Sequence, residues 1–115
     1  ISYDACQTAL QLNASLIVAF TESGSTASRV SKYRPPTPIL ALTPHDHVQR
    51  RLTLIWGVTP VTVDNLGTVD DFFAKGEEQA AEVLGNGSGS LVVLVAGLPI
   101  GVSGGTNLLK VLTIR

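Results

Sequence analysis

The chain contains no methionine and a single cysteine, Cys6. One cysteine excludes an internal disulfide framework and suits a reducing compartment, so a cytoplasmic location is expected. Without methionine, Ile1 is not expected to be a natural start, and the 115 residues read as a piece of a longer protein. Charge is also sparse: eight Lys/Arg stand against nine Asp/Glu, a net charge of −1 that leaves no basic footprint for nucleic acid. No apolar run approaches the ~20 residues of a membrane span, and no basic-then-apolar leader opens the chain. Nucleic acid and membrane are therefore not expected partners. No Cys, His and carboxylate cluster has zinc spacing, so no metal site is expected. A Walker A pattern is absent, as is a G-x-G-x-x-G after a strand. What remains is apolar: 44% of the residues are hydrophobic, enough for one domain with one modest core.

The chain is organised around Leu16–Thr26, L-I-V-A-F-T-E-S-G-S-T. Leu16–Phe20 has the length and composition of a buried strand. Thr21–Thr26 then supplies hydroxyls, a glycine and a helix start, with Ser25 or Thr26 as N-cap and a helix over Ala27–Tyr33. A strand that ends in such a turn ahead of a helix suits an anion, because first-turn N–H groups lack partners and the helix dipole adds positive charge. The same residues also suit an ordinary capped turn.

Other elements follow from periodicity and punctuation. Ile1–Ala14 reads as a helix with Ala5, Ala9 and Leu12 at helical spacing, and Cys6 as a small core residue. Pro35-Pro36 stops the second helix, and Pro38–Leu42 is a second apolar strand. Thr43-Pro44-His45-Asp46 resembles a capping box for a helix carrying Val48, Leu52 and Ile55, with Gly57 as terminator. Val58–Val63 is a strand that Pro60 assigns to a sheet edge or a strand start. Thr68–Asp71 is a second capping box, opening a helix with Val69, Phe72, Phe73, Ala80, Val83 and Leu84 on one stripe. Gly85–Ser90 is a turn, Leu91–Ala96 the most strand-like run, and Leu108–Ile114 a final strand. Near-continuous apolar strands alternating with helices predict a three-layer α/β/α fold with a mixed, mostly parallel five-stranded sheet. The Gly97–Asn107 connection is too short for a usual parallel crossover, so the last strand should run antiparallel.

Parallel strands share one C-terminal edge, where ligands bind. Thr21–Thr26 and Gly97–Asn107 both leave strands at that edge. Thr21, Ser23, Gly24, Ser25 and Thr26 from the first, with Ser103, Gly104, Gly105 and Thr106 from the second, could enclose a phosphate through N–H groups and hydroxyls. Gly101–Gly105 also matches G-x-S-x-G, but that nucleophile pattern needs a following helix and here leads into a strand. His45 and His47 read as solvent-facing helix-start residues without an orienting partner. Arg29, Lys32 and Arg34 form a solvated face from which Arg29 or Lys32 could reach a phosphate. Trp56 reads as a packing anchor.

Taken in order, T-E-S-G-S-T-A at Thr21–Ala27, S-K-Y-R-P-P-T-P-I at Ser31–Ile39, W-G-V-T-P at Trp56–Pro60, A-G-L-P-I-G at Ala96–Gly101 and G-G-T-N-L-L-K-V at Gly104–Val111 resemble the C-terminal domain of pyruvate kinase. The resemblance implies a single regulatory and assembly domain over residues 1–115, lacking the (β/α)₈ barrel that holds the active site, magnesium and potassium. It implies no cofactor and no catalytic residue in this domain, one interface of a homotetramer, and a sugar-phosphate effector. The loop matching Thr21–Thr26 would hold the phosphate, and that matching Gly101–Thr106 would close over the sugar. Bisphosphate-activated eukaryotic members commonly carry an arginine where this chain has Ser25, and a tryptophan and arginine in the segment matching Asp64–Leu84, which has neither here. A sugar or nucleotide monophosphate is therefore expected rather than fructose bisphosphate. The competing expectation is a structural module of the same fold with a vestigial phosphate loop. A stand-alone enzyme using Ser103 is disfavoured.

Overall fold

A computed structural model describes residues 1–85, 89–96 and 108–114. The sheet has five strands: β1 (Leu16–Phe20), β2 (Ile39–Thr43), β3 (Val58–Thr62), β4 (Leu91–Ala96) and β5 (Leu108–Thr113). Their order is β3-β2-β1-β4-β5. Strands β1 to β4 run parallel, and β5 runs antiparallel to β4. The fold is thus the expected three-layer one. Pro60 sits in β3 at the sheet edge, where a missing N–H costs least.

Among the described residues four helices cover the sheet: α1 (Ser2–Gln11), α2 (Ser25–Lys32), α3 (Asp46–Leu52) and α4 (Val69–Val83). Alternation along the central strands divides the core. Ile17 and Ala19 of β1, Ile39 and Ala41 of β2, and Val93 and Val95 of β4 pack with Ala5, Ala9, Val30 and Leu52 on the α1–α3 side. Leu16, Val18, Phe20, Leu40, Leu42 and Leu94 pack with Phe72 and Ala80 of α4 on the other. Both faces being covered explains why β1 and β2 are buried at every position, β1 as an unbroken apolar run and β2 apolar as far as Leu42 before the buried Thr43. Gly76 permits the approach of α4, since a Cβ there would lie 3.2 Å from Leu94 Cδ2.

Several local expectations are corrected. Helix α2 starts at Ser25, with Gly24 rather than Ser25 or Thr26 at the N-cap. Thr43 ends β2, so it does not cap α3. Its Oγ1 instead accepts a 3.3 Å bond from the His45 N–H, and His45 holds the N-cap position. The Thr68 cap is formed: its Oγ1 accepts from Asp71 N at 3.1 Å, while the Asp71 carboxylate accepts from Gly67 N at 3.2 Å. Of the α4 stripe, Phe72 and Ala80 are buried and Val83 is exposed. Trp56 is no packing anchor, because it is half-exposed, with the Arg34 guanidinium 4.9 Å from its ring centre. Cys6 is a core residue, and its Sγ lies 3.6 Å from the Val30 carbonyl. Burial pushes its thiol pKa up.

Candidate functional site

Central strand β1 ends at Phe20, and the chain turns into α2 within four residues. Such a turn needs a left-handed residue, and Gly24 supplies it at φ 95°. Thr21 Oγ1 braces the turn by accepting from Gly24 N at 2.8 Å. Ser23 Oγ lies 3.2 Å from Ser25 Oγ and accepts a long 3.4 Å bond from Ser25 N. Ser28 N returns to Gly24 O at 3.0 Å, closing the first helical turn.

The expected loop residues therefore divide by role. Thr21 and Thr26 are buried, at 2% and 4% exposure, and Thr21 bonds inward. Ser23 is exposed and Ser25 partly so, and these two hydroxyls, with the first-turn N–H groups, form the face a ligand could meet. Ser103, Gly104, Gly105 and Thr106 lie outside the described residues. The strand that precedes them, β4, runs parallel to β1, so its end lies at the same sheet edge as Phe20.

The expected set omitted one residue of the loop itself, Glu22, and two that reach it from the β2–α3 side, His45 and Arg51. Glu22 Oε1 lies 2.9 Å from His45 Nε2, which corrects the expectation that His45 has no partner. The Glu22 side chain is mostly shielded, and His45 is more open. The His47 ring stands 5.5 Å from that of His45. Arg51 of α3 donates to the Ser23 carbonyl. The Glu22–His45 pairing follows from the parallel register, which sets Phe20 beside Leu42 so that residues just past β1 and β2 emerge as neighbours, and it is visible only once that register is known. Arg51 carried no sequence signal, because its reach depends on how α3 seats. Arg29 and Lys32 are exposed on α2, past its first turn. With Tyr3 and Tyr33 they line a separate hollow beside Ile1.

Chemically, the site offers hydroxyls, helix-start N–H groups and the Arg51 cation against the Glu22 carboxylate. Among the described residues, no group of three or more His, Cys, Asp or Glu side chains could hold a metal ion, and no helix is long and apolar enough to cross a membrane.

Comparison with known proteins gives consistent matches. The family model described as "Pyruvate kinase, alpha/beta domain" matches residues 1–112. A pyruvate kinase of Clostridium acetobutylicum is 45% identical over 111 residues, covering 96% of this chain and 24% of that protein. Pyruvate kinase 2 of a Synechocystis strain is 45% identical over 115 residues, covering the whole chain and 20% of that protein. Among solved structures, a pyruvate kinase from Cryptosporidium parvum superposes with a TM-score of 0.87 at 30% identity, over all of this chain and 22% of that one. The chain thus spans a quarter or less of these relatives.

Proposed function

The chain belongs to the pyruvate kinase α/β domain family, and from that membership we propose that it serves as the regulatory and oligomer-forming domain of a pyruvate kinase, with the Thr21–Thr26 loop as the site of a phosphorylated effector. The parent protein would transfer phosphoryl from phosphoenolpyruvate to ADP in the cytoplasm. The catalytic groups, magnesium and potassium would belong to the barrel outside this chain.

One observation carries the effector reading. The central strand delivers its chain directly into a glycine-capped helix start, with Ser23 and Ser25 outward and Arg51 alongside. A phosphate at that point would meet N–H donors, two hydroxyls and a cation. Residues 101–106 would cover the remainder of a sugar or nucleotide monophosphate. The second reading, a structural module with a vestigial loop, is favoured by the burial of Thr21 and Thr26 and by the Glu22 carboxylate beside the loop.

Titration with a phosphomonoester separates the two. Ser23→Ala combined with Ser25→Ala should weaken binding at least tenfold and leave the fold intact, since both side chains face outward. Gly24→Glu should abolish binding. If wild type binds nothing, or all three proteins bind alike, the module reading stands.

A further inference from the structure

The effector loop is not electrostatically uniform. Glu22 follows β1 by two residues and places a carboxylate within the loop itself, where it opposes any anion seated on Ser23 and Ser25. Its hydrogen-bonded partner is His45, at 2.9 Å across the β2–α3 turn. Histidine is the side chain whose charge ordinarily changes between pH 5 and 8. We propose that the Glu22–His45 pair makes anion binding at this loop proton-dependent: uptake of one proton by His45 offsets the Glu22 carboxylate and raises affinity, and loss of that proton leaves the carboxylate to repel the ligand. The inference rests on the effector-loop reading above.

The surrounding charges support assigning the effect to this pair. The β1–α2 loop contributes Glu22 alone. From the β2–α3 side come His45, His47 with its ring 5.5 Å away, Asp46 at the helix start, and Arg51, which donates to the Ser23 carbonyl. Asp46 also lines, with Asp64 and Lys75, a hollow of about 450 Å³. Carboxylates and lysine ordinarily keep their charge between pH 5.5 and 8. Residues 97–107, which continue from the same sheet edge, contain no Asp, Glu, His, Lys or Arg. His47, exposed beside His45, serves as the internal control.

Sulfate is the suitable probe, because its charge is constant over this range whereas that of a phosphomonoester is not. Sulfate affinity is measured by calorimetry at fixed ionic strength, from pH 8 to pH 5.5, for wild type, Glu22→Gln, His45→Gln and His47→Gln. Wild type should tighten about fivefold on acidification, the scale of one partly exposed charge pair. His45→Gln should stay at the weak end at every pH. Glu22→Gln at pH 8 should bind at least as tightly as wild type at pH 5.5. His47→Gln should follow wild type. Sulfate binding that is flat with pH in wild type, or that keeps its full pH dependence in His45→Gln, overturns the inference and spares the effector loop. No sulfate binding by any variant at any pH overturns both.

Discussion

Replacing Gly24 by alanine tests whether the turn at the head of α2 is governed by backbone conformation or by crowding. The residue sits at φ 95°, where an L side chain is strained by about 1–2 kcal/mol. Alanine also restricts the unfolded chain, which returns about 0.4–1 kcal/mol. The new methyl would lie 3.4 Å from Arg51 Nη2 and Leu52 Cδ2 and 3.6 Å from Val48 Cγ1, ordinary contact distances that add little. The net loss is about 1 kcal/mol. Unfolding entropy of about 2.1 cal/mol/K per residue converts that into a Tm decrease of about 4 °C for a chain of 115 residues. Gly57 provides the matched control, at φ 71° with open space within 4 Å of an added methyl. Thermal unfolding followed by circular dichroism should show similar losses for Gly24→Ala and Gly57→Ala, and a smaller one for Gly24→Asn, because asparagine tolerates the left-handed region. An unchanged Tm for Gly24→Ala would refute the strain argument. A loss several times that of Gly57→Ala would assign the glycine to packing against α3 instead.

Other elements carry their own expected outcomes. Thr68→Ala should cost about 1 kcal/mol in urea unfolding through loss of the bond to Asp71 N, with Thr68→Ser largely restoring it. Edge strand β5 leaves Val111 exposed, so the chain should associate reversibly at high concentration, and Val111→Lys should reduce this; strictly monomeric wild-type sedimentation would contradict it. The raised Cys6 pKa favours the protonated thiol in the folded state, so stability should be intact below the unfolded value of about 8.5 and decline as pH rises from there through the folded value. Cys6→Ala should lack that alkaline decline. Purified chain should not form ATP from phosphoenolpyruvate and ADP with magnesium and potassium present, whereas turnover surviving rigorous purification would overturn the regulatory-domain assignment.

The strands were legible because their chemistry is one-dimensional. A strand buried on both faces must be largely apolar: β1 and β4 are apolar throughout, and β2 is apolar up to its last residue, Thr43. The antiparallel final strand followed from the length of one connection. Helix starts were less legible, since hydroxyls compete for the cap: Thr43 looked like a cap but is the last residue of β2, and Gly24 takes the position given to Ser25 or Thr26. Trp56 illustrates a different limit. Its size suggests burial, yet Arg34 covers one ring face and leaves the residue half-exposed, a tertiary outcome with no periodic signature. At the candidate site the loop could be found from residue types alone. Its charge balance could not, because Glu22 and His45 meet only once β1 and β2 are in register.

The strand order also governs how the molecule is assembled in time. The first strand of the sequence, β1, lies at the centre, and its two neighbours are far apart along the chain: Ile17 pairs with Ile39, but Leu16 pairs with Val92. Strands β1 to β3 can zip together through short connections, whereas β4 docks only after the chain has passed through α4. Closing so long a loop is entropically costly and slow. Until it closes, one edge of apolar β1 stands unpaired, and α1 lacks the Val93 and Val95 side chains that it packs against. In an N-to-C order of synthesis β1 to β3 emerge before β4, so this edge of β1 has its partner strand only once β4 has been made.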